Sequence, residues 1–202
     1  MNMFRNGIIA TALTLAFAGV GHAADPVMTK DQYKAEKDRI GADARTAKDK
    51  CKSTSGNAKD ICMAEAKGQE KVTKADLEAR YKNTEKARFD ARVAKADADY
   101  DVAKEKCDDR AGNEKDVCKK EAKAAHTSAK ADAKVERKTA ETRSGSASRN
   151  ADAARGNNEV RRDAAEDKRD ANYDVAKEKC DSLAGAAKDR CVGDAKAKYG
   201  KS

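Results

Sequence analysis

The chain has no tryptophan, one proline (Pro26), two histidines and only 4% aromatic residues. Each scarcity excludes something. With no proline after Pro26, nothing from Val27 to Ser202 forces a helix to stop on that account. With so few aromatics, the basic residues are not interleaved with stacking rings, and no nucleic-acid partner is expected. Large aliphatic residues are also scarce: after residue 23, Val, Ile, Leu and Phe together number 14. That is far below the roughly one-fifth of residues a conventional globular core uses. Combined with 40% charged residues, such a composition ordinarily leaves a chain unfolded. Gly-rich phosphate loops, nucleophile elbows and zinc-binding helix motifs are missing too.

What is present opposes disorder. Alanine, lysine, glutamate and arginine, all strong helix formers, dominate the chain. The N-terminus reads as a secretory signal peptide over residues 1–23. Arg5 supplies a positive n-region, Ile8 to Val20 is apolar, and Gly21-His22-Ala23 offers small residues before Ala24. The apolar run falls short of the about 20 residues of a membrane span; the alternative is an uncleaved anchor. Without the leader the chain carries 43 basic and 36 acidic residues, a net charge of +7. A periplasmic or secreted location is expected, with no stable membrane insertion once the leader is removed.

An even six cysteines in an exported chain imply a disulfide framework, which a chain with little core needs most. They fall as Cys51/Cys62, Cys107/Cys118 and Cys180/Cys191, each pair C-x10-C. Gly56, Gly112 and Gly185 stand five residues after the first cysteine, and Lys-Asp precedes the second: Lys59-Asp60, Lys115-Asp116, Lys188-Asp189. The run Tyr100-Asp-Val-Ala-Lys-Glu-Lys-Cys107-Asp recurs from Tyr173 to Asp181. These are three copies of one unit.

Helix arithmetic gives the geometry of the unit. Eleven residues along one straight helix span about 16 Å, whereas a disulfide needs Cα atoms within about 7 Å. Bonding within each pair therefore requires the chain to reverse between the cysteines. The glycine supplies a left-handed position that ends one helix, and Asn57 and Asn113 are natural N-caps for the next. Ala186 replaces Asn in the third copy, a weaker cap. The expected bonds are Cys51–Cys62, Cys107–Cys118 and Cys180–Cys191. Closing each loop of about 12 residues contributes roughly 3 kcal/mol. The alternative is a helix running straight through each glycine, with cysteines free or bridging chains.

Phe89, Val93, Ala96, Tyr100, Ala103 and Cys107 recur at alternating steps of four and three, and Tyr33, Ile40, Ala44, Ala47 and Cys51 follow the same stripe. This is a narrow, alanine-rich seam of coiled-coil type. Between Cys62 and Cys107 only Asn83-Thr84 is a candidate break; an unbroken helix there would approach 75 Å. Residues 143–159, rich in Ser, Gly and Asn, read as a flexible linker. The fold class expected is all-α: three disulfide-stapled antiparallel helical hairpins joined by long helices, elongated, with that linker. The hairpins group as a two-hairpin region at 27–142 and a C-terminal hairpin at 160–199.

The residues supply little chemistry. His126 lies in a polar Ala/Lys stretch with no evident partner, so a solvated surface residue is expected. The carboxylates have Lys or Arg within a helical turn, the pattern of surface ion pairs. No catalytic residue, cofactor or metal site is assigned. Met28-Thr-Lys-Asp-Gln-Tyr-Lys, Asp60-Ile-Cys62-Met-Ala-Glu-Ala-Lys-Gly68 and Asp189-Arg-Cys191-Val-Gly-Asp-Ala-Lys resemble small exported Ala/Lys-rich proteins of Gram-negative bacteria, many labelled cell envelope biogenesis protein TolA. The likeness to TolA itself is to its Ala/Lys/Asp-rich helical middle. The resemblance implies an envelope location. The leading expectation is a non-catalytic periplasmic scaffold or spacer that contacts an envelope protein or anionic polymer, and forming an oligomer is compatible with it. Alternatives are a thiol-based metal-binding or redox-responsive protein, and a weak binder of anionic envelope polymers.

Overall fold

Strong helix formers with no proline among them should give long helices, and they do. The computed structural model describes residues 28–144 and 150–201. The leader read at 1–23 and the centre of the segment read as a linker lie outside these residues. Six helices follow in order: α1 Lys30–Lys50, α2 Gly56–Lys82, α3 Glu85–Cys107, α4 Gly112–Ser144, α5 Asn150–Cys180 and α6 Gly185–Tyr199. No strand occurs among the described residues. Thr29 caps α1 by accepting from the Gln32 N–H, while the Gln32 side chain accepts from the Thr29 N–H.

Each helix packs antiparallel on its neighbours in sequence and on no other helix among the described residues. The result is a single-layer meander. The three disulfides, Cys51–Cys62, Cys107–Cys118 and Cys180–Cys191, hold Cα atoms 5.6, 5.6 and 5.7 Å apart and sit at one end of the layer. The expected pairing is therefore found. The chain also reverses at the opposite end, at Asn83–Thr84. Asn83 adopts a left-handed φ of 49°, and Thr84 accepts from the Ala87 N–H at 3.2 Å, capping α3. The candidate break is thus a complete turn, and no helix of about 75 Å forms.

A helix with a neighbour on both sides needs two buried stripes. On α3 the stripe from Phe89 to Cys107 faces α4: Tyr100 stacks on His126 with centroids 4.8 Å apart, and Arg137 lies over Phe89. On the opposite side Ala87, Ala91 and Ala98 are buried toward α2. There Gly68 and Ala98 approach so closely that a Cβ on Gly68 would lie 3.0 Å from that of Ala98. Alanine and glycine permit such close axes but bury little area each, at about 25 cal/mol per Å2. The wider side chains of Ile40 and Leu77 are both buried, on α1 and α2.

The described parts of the segment 143–159, residues 143–144 and 150–159, are helical rather than linker-like. Arg143 and Ser144 end α4, and residues 150–159 open α5. Packing explains the helix in spite of its composition. The Thr142 hydroxyl donates to Asn157 Oδ1 at 3.2 Å, and Gly156 lies against Lys138. The α4–α5 seam extends to these contacts, so the third hairpin packs on the first two among the described residues.

Candidate functional site

The stapled turns are the most repeated local structure. In each, the first helix ends at or beside its first cysteine, and that cysteine's carbonyl accepts from the N–H three residues on: Thr54, Arg110 and Leu183, at 3.2, 3.1 and 3.0 Å. Gly56, Gly112 and Gly185 then take φ of 58°, 54° and 55°. These glycines start the second helix rather than ending the first. The turn is accordingly asymmetric, with the first cysteine at a helix end and the second six residues into the next helix.

Asn57 and Asn113 are not N-caps. Both lie inside their helices, after glycines whose backbone has already set the entry angle. Asn57 instead crosses to the next hairpin, donating to the Glu105 carbonyl at 3.0 Å and to Asp109 Oδ1 at 2.6 Å. Two of the three repeated lysines before the second cysteine, Lys115 and Lys188, also find a role. Lys115 and Lys119 flank Asp108 at 3.0 and 2.9 Å, and Lys188 meets Asp181 at 2.8 Å. Hydrogen bonds from Lys119 and Lys115 hold the Asp108 carboxyl below its usual range, and Lys188 does the same for Asp181. The first turn has Lys52 at this position, paired with Asp49 instead.

His126 is not a lone solvated residue. Its Nε2 lies 2.6 Å from Asp97 Oδ1, its ring stacks on Tyr100, and its side chain is 21% exposed. Lys130 is also 3.9 Å from Asp97. Tyr199 occupies the matching position of the third hairpin and meets Tyr173 edge-on at 6.4 Å. His126 therefore fills an aromatic packing slot of the repeat. A second cluster ties α1 to α2, where Tyr33 stacks on Tyr81 and its hydroxyl donates to Glu78. Lys82 lies 2.9 Å from the same carboxylate. Glu78 is held below its usual range, first by the Tyr33 hydrogen bond and then by Lys82, while the Tyr33 phenol is pushed up. Further along, Lys48 and Lys74 both bond Glu70 at 2.5 Å and lower its pKa.

Among the described residues all six cysteines are bonded, and no group of three His, Cys, Asp or Glu side chains is placed to hold a metal ion. No described helix is long and apolar enough to cross a membrane. Open grooves run along the seams, such as the one bounded by Glu65, Gly68, Val72, Ala98, Val102 and Lys106. The chain matches no family model, no curated protein and no solved structure in the comparisons made. The Asn57 crossing and the His126 pairing were missed from sequence because their partners lie 48 and 29 residues away. The one available signal for His126 was its spacing: it stands eight residues after Cys118, as Tyr199 does after Cys191.

Proposed function

We propose that this chain is a non-catalytic helical scaffold or spacer of the bacterial periplasm that contacts other envelope components. One observation carries the reading: the described residues form a single layer of helices stapled three times at one end, with the seams between helices as its interior. Such a layer offers two broad charged faces and a fixed spacing, the properties of a spacer, and its recesses are shallow. Three bonded cysteine pairs are the state an oxidising compartment sustains. Crosslinking in intact cells, followed by recovery from the envelope, tests the reading. The expected result is release by osmotic shock, an N-terminus near Ala24 and a discrete crosslinked envelope partner. An intact Met1 in the membrane fraction, or a cytoplasmic partner set, overturns it.

A second reading has its own observation. Arg155, Arg161 and Arg162 are exposed along one side of α5, and none of them enters an ion pair among the described residues. Weak binding of anionic envelope polymers would use this side, and heparin retention that falls steeply with salt is the expected signature. Retention unchanged in the triple Arg→Gln variant removes this reading.

A further inference from the structure

The three hairpins are copies of one unit, so every position can be counted from its cysteines. The two seams between hairpins, α2/α3 and α4/α5, reuse the same positions. The lysine just before a hairpin's first cysteine pairs with the carboxylate three residues after the preceding hairpin's second cysteine. These pairs are Lys106 with Glu65 at 3.1 Å and Lys179 with Glu121 at 2.7 Å. Six residues after that second cysteine stands a small residue, Gly68 or Ala124. Nine before the next first cysteine stands Ala98 or Ala171. At α2/α3 these small residues are in direct contact.

The same count, applied to the two ends of the layer, finds the same chemistry without a partner. On α1 the positions are Lys50 and Ala42; on α6 they are Asp194 and Ala197. All four are exposed, and neither Lys50 nor Asp194 forms an ion pair among the described residues. At a third pair of positions one side keeps a carboxylate and the other gains a cation; the carboxylate, Asp49, is already shared with Lys52 at 2.7 Å. Arg190 stands where the internal seams have Ile61 and Val117, and Asp49 stands where they have Glu105 and Glu178.

We propose that the outer face of α6 docks on the outer face of α1 of a second copy, continuing the meander from chain to chain. Asp194 then meets Lys50, Ala197 packs on Ala42, and Arg190 approaches Asp49. The two surfaces differ, so the contact is heterologous, and repetition gives an open chain of copies rather than a closed dimer. Two substitutions leave this seam with less apolar area than the internal ones, a loss that the exposed Arg190–Asp49 approach offsets only in part: Arg190 for Ile61 and Val117, and Thr46 for Val102 and Val175. Association is therefore reversible and depends on concentration. The proposal does not depend on which envelope component the scaffold contacts.

Sedimentation of the full-length protein, purified oxidised and followed from about 1 μM to 1 mM, tests it. The expected result is growth past the dimer as concentration rises. Lys50→Glu should weaken association about three- to tenfold by setting two acids against each other. Lys50→Glu with Asp194→Lys in one chain should restore it, with circular dichroism unchanged in both. A monomer throughout, growth that stops at the dimer, or association indifferent to Lys50→Glu overturns the proposal.

Discussion

Glycines and carboxylates set the behaviour of this chain at the smallest scale. Gly68 lets α2 and α3 approach to Cβ contact distance. Gly68→Leu should destabilise the protein by about 1–3 kcal/mol through overpacking, read as a lower urea midpoint. Gly41, also helical, has nothing within 4 Å of an added Cβ. Gly41→Ala should therefore stabilise by about 0.5–1 kcal/mol from helix propensity alone. If both variants moved stability the same way, the close approach would not be the cause. Gly185 also has open space around it but takes φ +55°, so Gly185→Ala should cost about 1–2 kcal/mol in backbone strain. The carboxylates respond to pH with a definite sign. Glu70 and Glu78 are held below their usual range in the folded chain by Lys48, Lys74, Tyr33 and Lys82. Their contribution is complete above the unfolded glutamate value of about 4.3. It is lost as pH falls through the lower folded values. Melting temperature should drop across this acidic range, and Glu70→Gln should start lower at neutral pH and drop less. Equal acid sensitivity in the variant would remove Glu70 as a contributor.

At the scale of the elements, each staple ties one helix end to a point six residues into the next helix. Replacing Cys180 and Cys191 by serine should therefore loosen α6, the shortest helix at 15 residues, more than any internal helix. Hydrogen exchange should show α6 amides losing protection while α2 and α3 keep theirs. Uniform loss across the layer would mean that the hairpins are coupled more tightly than neighbour-only packing implies. The stapled hairpins were legible in the sequence because C-x10-C with a central glycine leaves the chain little choice but reversal. The Asn83–Thr84 turn was barely legible. Two ordinary residues make it, and only the left-handed Asn83 and the Thr84 cap distinguish it from the helix around it. The start of α5 was misread because Gly156 and Asn157 look like linker residues in isolation. In the fold they are the small and polar groups that meet Lys138 and Thr142. The stripe of α3 facing α2 was hidden for another reason: when alanine is everywhere, a second alanine stripe has no contrast.

At the scale of the whole molecule, a layer in which each helix touches only its neighbours is close to one-dimensional. Stability is then a sum of local terms, and unfolding need not be all-or-none. Reduction should cost much of the tertiary order while leaving substantial helix. Circular dichroism melts with and without reductant measure this, and coincident curves would show that the bonds contribute nothing. The placement of the staples also has a mechanical consequence. Residues 28 and 201, the limits of the described chain, both lie on the open side of their staples: α1 runs toward its disulfide, and α6 runs back from its own and ends level with Asp170, which Lys201 meets at 2.5 Å. A load applied between these points opens each stapled hairpin like a zipper, from the end away from its sulfur bridge as far as that bridge. The ten residues inside each bridge never come under tension. Every intact bridge should shorten the fully stretched chain by about 35 Å, and an optical trap comparing oxidised with reduced protein should see three such increments return. Chain that pays out in short steps, with a hard stop at each bridge and recoil when the load is released, behaves as an extensible tether with a built-in limit.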